Sequence, residues 1–139
     1  MFKVVSTPDE LLKVYAVRSI VFVEEQHCPW DEEFDGLDEG AVHILGEQSG
    51  EPVAAGRIRF LRDYSKLERI AVRTAYRGRG IGDRLVEYML DVARRHGCTT
   101  FKMHAQVHLT GFYRAHGFCV CGELFQEAGI DHYPMIRQD

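Results

Sequence analysis

The spacing of apolar and polar residues predicts a chain in which strands alternate with helices. Short apolar or alternating runs indicate strands at residues 2–5, 41–47, 52–61, 66–72, 100–106, 118–125 and 133–136. Apolar residues that recur every three or four positions indicate helices at residues 7–22, 80–96 and 109–116. This order of elements predicts a single domain of the α/β class over residues 1–139, with a mixed sheet flanked by helices.

The first helix has a strong start signal and an expected apolar face. Thr7 can cap it, Pro8 suits its first position, and Glu10 completes a capping box. Two rows then recur at four-residue spacing, Leu12, Ala16 and Ile20, and Leu11, Tyr15 and Ser19. The pattern predicts an amphipathic helix that ends near Phe22 and is followed by a polar, acidic loop to Gly40.

Composition narrows the class of protein. The 139 residues are 45% apolar and 27% charged, which is ordinary for a soluble domain. No apolar run is long enough to span a membrane, and the first residues lack the features of a signal peptide. We therefore expect a cytoplasmic protein without a membrane partner, whose four cysteines are reduced thiols.

The net charge is small, but the charged residues are unevenly distributed along the chain. A net charge of -4 argues against nucleic acid as a partner, because binding to phosphates needs a basic surface. Residues 31–39 hold six acids and no base, whereas residues 73–84 hold four arginines and one acid. The asymmetry predicts one acidic and one basic side to a working site.

A loop rich in glycine and arginine lies between a predicted strand and a predicted helix, at residues 77–82. Its glycines allow close backbone approach, and the N–H groups and dipole of the following helix favour an anion such as a pyrophosphate. The loop lacks the Gly-Lys-Ser/Thr ending of a Walker motif and the third glycine of a dinucleotide fingerprint. These absences count against other classes of nucleotide-binding protein.

What remains is the pattern Arg-x-x-Gly-x-Gly, formed by Arg77, Gly80 and Gly82. Here the chain resembles the GNAT superfamily of N-acetyltransferases. A strand at residues 67–72 precedes the loop, and the motif Tyr-x-x-x-Gly-Phe follows at residues 113–118, as in that family. Residues 18–26 and 127–132 look like those of a small bacterial branch of uncharacterised, single-domain members.

The resemblance implies a mostly antiparallel sheet whose central strands splay, with acetyl-CoA bound in the gap as the acetyl donor. It implies that the following residues contact the donor: Ile70, Ala71 and Val72 beside pantetheine, Arg77, Gly78, Arg79, Gly80, Ile81 and Gly82 around the pyrophosphate, and Gln106, where the family often has Asn. No histidine or cysteine spacing indicates a metal site.

The same resemblance implies direct attack of an amine on the thioester in a ternary complex. Tyr113 is expected to hydrogen-bond or protonate the departing thiolate. A base is also needed, because an amine is protonated at neutral pH, and Glu68 and His132 remain equal candidates for that role. His104 is a weaker third candidate that is expected to line the pocket.

The acceptor is expected to be a small-molecule amine or an amino-acid-like compound. The acidic residues 31–39 could attract an ammonium group, or they could simply be solvated. Arg57 and Arg59 could instead project into the same cleft and recognise a carboxylate. A non-catalytic acyl-CoA sensor on the same fold stays open as an alternative, and the oligomeric state stays open between a monomer and a homodimer.

Overall fold

The computed structural model describes residues 1–139. The strands are β1 (Phe2–Val4), β2 (Val42–Gln48), β3 (Glu51–Phe60), β4 (Ser65–Val72), β5 (Thr100–Gln106), β6 (Cys119–Val120), β7 (Phe125–Glu127) and β8 (Ile130–Gln138). The helices are α1 (Pro8–Arg18), continued by a π-helical segment (Ser19–Glu25), then α2 (Trp30–Glu33), α3 (Ile81–Arg95) and α4 (Thr110–Ala115). None of these helices has both the length and the apolar character that crossing a membrane requires.

All eight strands join one sheet, in the order β1-β2-β3-β4-β5-β8-β6, with β7 also paired to β8. Every neighbouring pair is antiparallel except β4 and β5, which are parallel. That central pair is joined only at Ser65↔Phe101 and Lys66↔Lys102, although β4 continues to Val72. The mixed, mostly antiparallel sheet with splayed central strands is therefore confirmed.

The two faces of the sheet are covered by different helices. On one face α3 buries Leu85 and Met89 in the larger apolar core. It packs closely there because β3 has a glycine at position 56, where a Cβ atom would come within 2.5 Å of the Met89 sulfur. On the other face α1 buries Val14 and Val17. The cavity described below opens where neither helix closes the gap between β4 and β5.

The capping box at Thr7 and Glu10 is confirmed, but the predicted apolar face of α1 is wrong. Leu12 is 64% exposed, and the buried row is Val14, Val17 and Val21, together with Arg18. The physical reason is that Arg18, a charged residue that a count of apolar positions leaves out of the buried face, is fully buried and ion-paired. Its burial rotates the inward face away from the Leu12 row.

The strand predicted at residues 118–125 is also wrong, because it is split into β6 and β7. Both short strands pair with the same side of β8, and the break lies around Gly122. Pro134 of β8 packs there so closely that a Cβ atom on Gly122 would lie 2.7 Å from the proline ring. Since proline also lacks an N–H group, the ladder cannot run through this point.

Candidate active site

A cavity of about 340 Å³ opens where β4 and β5 separate. It brings together five of the residues singled out from the sequence: Glu68, Ile70, Gln106, Tyr113 and His132. The weaker candidate, His104, lines it as well. Ala71 does not, because its side chain points to the opposite face of β4 and packs in the core beneath α1. Any contact of Ala71 with a ligand in this cavity would have to come from its backbone.

A bulge in β4 shapes the wall of this cavity. Arg57 of β3 pairs with Glu68, and Ala55 pairs with Ala71, so two residues of β4 lie opposite the single residue between Ala55 and Arg57. The first of the two is Arg69, whose φ of 56° is in the left-handed region. A bulge re-aims the backbone and side chains that follow it. It therefore turns β4 away from β5 at the level of the candidate catalytic residues.

The glycine loop has the backbone geometry of an anion cradle. Gly78 and Gly80 have φ values of 77° and 76°, and a Cβ atom at either position would meet no protein atom within 4 Å. Helix α3 begins directly after Gly80, so its free N–H groups and its dipole point toward the space in front of the loop. The loop can therefore bind phosphate oxygens through its backbone.

Arg77, expected from the sequence to bind the pyrophosphate, is already engaged within the chain. Its Nε donates to the carbonyl oxygen of Val72 at 2.8 Å, and its two terminal nitrogens reach Glu25 at 2.8 and 2.9 Å. Glu25 also accepts a hydrogen bond from Thr74, and the bond from Arg77 lowers the pKa of Glu25. The arginine thus ties the end of the π-helical segment to the loop.

Gln106 is engaged in a similar way across the gap between the strands. Its side-chain Nε2 donates to Oε1 of Gln26 at 3.0 Å, although the two residues are 80 positions apart in the chain. Both side chains line the cavity. The Gln106–Gln26 pair therefore bounds the cavity on the side of the π-helical segment.

Tyr113 is held in the cavity wall by two aromatic rings. It is only 6% exposed, and its ring lies edge-on to Phe112 at 5.0 Å and to Phe118 at 6.2 Å between centroids. Burial raises the pKa of the Tyr113 phenol, so the hydroxyl stays protonated at neutral pH. The side chain is therefore a hydrogen-bond donor rather than a source of negative charge.

Glu68 lies among three cations. Arg59 donates a short hydrogen bond to it, Arg57 approaches within 3.3 Å, and Lys66 approaches within 3.7 Å. Burial opposes the ionisation of Glu68, but the bond from Arg59 and the charges of Arg57 and Lys66 outweigh it and lower its pKa. A carboxylate stabilised in this way has a weak affinity for a proton.

The ring of His132 is oriented by a backbone carbonyl group. Its Nδ1 lies 2.7 Å from the carbonyl oxygen of Ile130, and a carbonyl can only accept a hydrogen bond. Nδ1 therefore carries the proton in the neutral ring, which leaves Nε2 as an unprotonated nitrogen. The ring stacks on Phe125 at 5.8 Å and lines the cavity.

His104, on the neighbouring strand, is held by a carboxylate that was not singled out from the sequence. Its Nδ1 lies 2.8 Å from Oε2 of Glu127, and the ring packs edge-on against Phe125. The hydrogen bond from His104 lowers the pKa of Glu127. The pairing of β8 with both β5 and β7 brings these two residues together, and they are 23 positions apart in the chain.

The acidic segment, residues 31–39, is neither the free loop nor the open anionic rim that its composition suggested. It contains α2, and three arginines engage three of its acids. The pairs are Arg18 with Glu33 at 2.8 Å and Asp38 at 2.6 Å, Arg57 with Asp35 and Asp38 at 2.9 Å each, and Arg69 with Glu33 and Asp35 at 3.1 Å each. We call this group the arginine–carboxylate network.

The network also corrects the role expected for Arg57. That side chain is fully buried and bonded to the acidic segment, so it does not project into the cleft to recognise a carboxylate. Arg59 is likewise committed to Glu68. Burial raises the pKa of Glu33, against the opposing charges of Arg69 and Arg18. Much of the negative charge counted along this segment is therefore neutralised inside the fold.

The comparisons with known proteins agree with this architecture. The family model of the acetyltransferase (GNAT) domain matches residues 13–138. The chain is 37% identical to YjcF of Bacillus subtilis, described as an uncharacterized N-acetyltransferase, over 99% of both chains. The chain belongs to the GNAT acetyltransferase family and is, at that level of description, an acyltransferase of the acyl-CoA-dependent class.

Two solved structures place the chain within this fold. An acyl-CoA N-acyltransferase from Pseudomonas aeruginosa superposes with a TM-score of 0.90 at 31% identity, and the match covers 99% of this chain and 98% of that one. A GNAT family acetyltransferase from Elizabethkingia anophelis, solved with acetyl-CoA bound, superposes with a TM-score of 0.72 over 99% and 97% of the two chains. At 14% identity the second structure shows the fold alone.

Proposed function

We propose that this protein transfers an acetyl group from acetyl-CoA to the amino group of a small molecule, by direct attack in a ternary complex. The observation that carries the proposal is the cavity between β4 and β5, which is lined both by the buried phenol of Tyr113 and by His132, whose Nδ1 is bonded to a backbone carbonyl. Membership of the acetyltransferase (GNAT) family supports acetyl-CoA as the donor. The four unpaired cysteines fit a cytoplasmic location.

In this proposal the donor binds along β4 and the glycine loop. Backbone N–H groups from Gly78 to Gly82 receive the pyrophosphate at the start of α3, with Arg77, Arg79 and Ile81 in the same loop. Pantetheine runs beside Ile70, Ala71 and Val72, where β4 has left β5, and Gln106 faces it from the other strand. The thioester then lies near the bulge and Tyr113.

His132 serves as the base in preference to Glu68. An ammonium group must lose a proton before its nitrogen can attack the thioester carbon, and Nε2 of His132 is free to accept that proton. Glu68 has a lowered pKa and three cationic neighbours, so it takes up a proton less readily. We assign Glu68 an electrostatic role within its cluster of cations.

Tyr113 acts when the carbon–sulfur bond breaks. The amine nitrogen has by then formed its bond to the carbonyl carbon, and the electron pair of the broken bond leaves with sulfur as a thiolate. A phenol with a raised pKa binds the proton more tightly than a thiol of pKa ~8.5 does. Tyr113 therefore stabilises the thiolate chiefly by donating a hydrogen bond, without complete transfer of its proton.

The proposed acceptor is a small-molecule amine, including an amino-acid-like one. The cavity has charged groups of both signs on its acceptor side, with Lys66 and Arg69 beside Glu32 and Glu127. Because the arginine–carboxylate network neutralises much of the acidic segment, a strong preference for polycations does not follow. We therefore include a zwitterionic compound, whose two charges can pair with Lys66 and with the carboxylate of Glu32.

The test is release of thiol from acetyl-CoA across a panel of amines. His132→Gln and Tyr113→Phe are each expected to lower kcat by ~10²-fold or more, with little change in acetyl-CoA affinity. His96→Gln is the matched control, because His96 also contacts a backbone carbonyl through Nδ1, at 2.9 Å, and stacks on a phenylalanine, far from the cavity. Binding of acetyl-CoA without turnover on any amine would favour the alternative, a non-catalytic acyl-CoA sensor.

A further inference from the structure

Arg69 adopts a backbone conformation that arginine rarely accepts. Its φ of 56° lies in the left-handed region, within β4, where neighbouring residues are extended. A side chain with a Cβ atom is strained there, and such strain persists only where the surrounding structure enforces it. Of the other non-glycine residues with positive φ, Ser49 and Ala128 lie at turns between strands, and Ala128 also lines the cavity, so Arg69 is the one that lies within a strand.

The side chain of Arg69 supplies that enforcement. Its Nη2 donates to the carbonyl oxygens of Glu32 and Glu33, at 3.2 and 3.1 Å, and to Oδ2 of Asp35 at 3.1 Å. Its Nε donates to the carbonyl of Glu33 at 3.3 Å and lies 3.1 Å from the carboxylate of the same residue. Two carbonyls and two carboxylates of the acidic segment are therefore bound to one guanidinium group.

The contacts of Arg69 bear on the cavity because of its position in β4. It directly follows Glu68 and directly precedes Ile70, and all three residues line the cavity. The segment that it binds contributes Glu32 and Glu33 to the lining of the same cavity. One side chain thus connects the strand that carries the donor to the segment that faces the acceptor.

We propose that Arg69 is a positioning residue, which fixes the acceptor wall relative to the bulge in β4 and so sets where the amine lies against the thioester. The kinetic part of this inference rests on the proposed acetyl transfer. Arg69 does not act on the reacting atoms. It acts through the acidic segment, by keeping α2 docked, and through its own backbone, by keeping the bulge formed.

Three variants separate the side chain from the backbone. Arg69→Gly removes the guanidinium but accepts the positive φ, Arg69→Ala removes the guanidinium and keeps the strain, and Arg69→Lys keeps a charge without the forked donors. For Arg69→Gly we expect the KM for the amine to rise about tenfold or more, since a small misplacement of the substrate is costly. The Kd for acetyl-CoA should stay within about threefold, because the glycine loop is untouched.

A readout that needs no turnover comes from Trp30, the only tryptophan of the chain, which lies in α2 and packs on Phe34 at 4.6 Å. Acrylamide should quench its fluorescence more strongly in Arg69→Gly and Arg69→Ala than in the wild type, with Arg69→Lys between them. Ser49→Gly is the control, because it relieves a φ of 51° in a distant turn and should change neither the kinetics nor the quenching.

Unchanged quenching in Arg69→Gly would overturn the proposal even if the wild-type protein transferred no acetyl group. An unchanged KM for the amine in an active enzyme would overturn it as well, and so would an equal loss of affinity for the amine and for acetyl-CoA. Should Arg69→Ala fold poorly, Arg69→Gly and Arg69→Lys still decide the question.

Discussion

Two glycines at opposite ends of α3 allow the donor site to be tested without confusing binding with folding. Gly80 precedes the helix with a φ of 76°, and Gly97 follows it with a φ of 89°. A Cβ atom at either position would meet nothing within 4 Å. Alanine should therefore cost each variant only the strain of the left-handed conformation, ~1–2 kcal/mol, which corresponds to a fall in Tm of about 3–8 °C.

The two variants should differ entirely in their response to acetyl-CoA. In the wild type a hundredfold excess of ligand over its Kd stabilises the fold by ~2.7 kcal/mol. In Gly80→Ala the new methyl group occupies the space that a phosphate needs. If affinity falls ~100-fold, the same ligand concentration stabilises the fold by only ~0.4 kcal/mol. Gly97→Ala, at the far end of the helix, should keep the full stabilisation.

The assay is thermal unfolding of the three proteins with and without acetyl-CoA, with Kd measured separately by calorimetry. An equal thermal shift for Gly80→Ala and Gly97→Ala would refute the assignment of the glycine loop as the pyrophosphate site. A loss of shift in both variants would mean that the integrity of the helix, rather than access to the loop, governs binding.

Two further predictions concern ion pairs. Arg57→Met should destabilise the protein by ~3–5 kcal/mol at pH 7, because the partly buried carboxylates of Asp35 and Asp38 each lose one of their two arginine partners. Burial tends to raise the pKa of Asp35 and of Asp38, but Arg57 lowers it. This stabilisation is therefore present above their unfolded pKa of ~3.9 and is lost as pH falls through their folded pKa values. Urea unfolding should thus show a nearly full deficit at pH ~4 and a smaller one near pH ~2, and a deficit independent of pH down to that value would contradict the reasoning. Glu25→Gln should tighten acetyl-CoA binding about two- to fivefold, since Arg77 is released from an exposed ion pair. Weaker binding, measured by calorimetry, would mean that the pair instead orders the loop.

The parts of the site that are contiguous in the chain could be predicted from the sequence. The glycine loop depends on residues that follow one another between a strand and a helix, and the backbone of Gly78 and Gly80 has the conformation that such a loop requires. The capping box of α1 is equally local, because Thr7 and Glu10 satisfy each other within one turn. In these cases the physical cause and the sequence pattern cover the same few residues.

The arginine–carboxylate network could not be predicted in this way. Arg18 lies on the inward face of α1 only because Glu33 and Asp38 come from 15 and 20 positions further along to neutralise it. Counting apolar positions treats every arginine as exposed, so the pattern favoured Leu12 for the buried face. Three of the six acids, Glu33, Asp35 and Asp38, likewise looked free because their partners belong to α1, β3 and β4.

The proposed choice of base likewise could not be made from the sequence. As residue types, Glu68 and His132 were equal candidates in the sequence. Their partners separate them, because three cations surround Glu68 while a carbonyl oxygen orients the ring of His132. A proton affinity depends on neighbours in space, and these neighbours come from other elements of the fold.

The two residue pairs that join β4 to β5 have a mechanical consequence. They are the only backbone pairing between the half of the sheet formed by β1 to β4 and the half formed by β5 to β8. Beyond Lys66 no backbone pair joins the two halves of the sheet, and a ligand that bonds to the backbone of both would bridge that gap. Donor binding should therefore slow amide exchange in β4 and β5 together, so that the substrate completes the sheet within which it reacts.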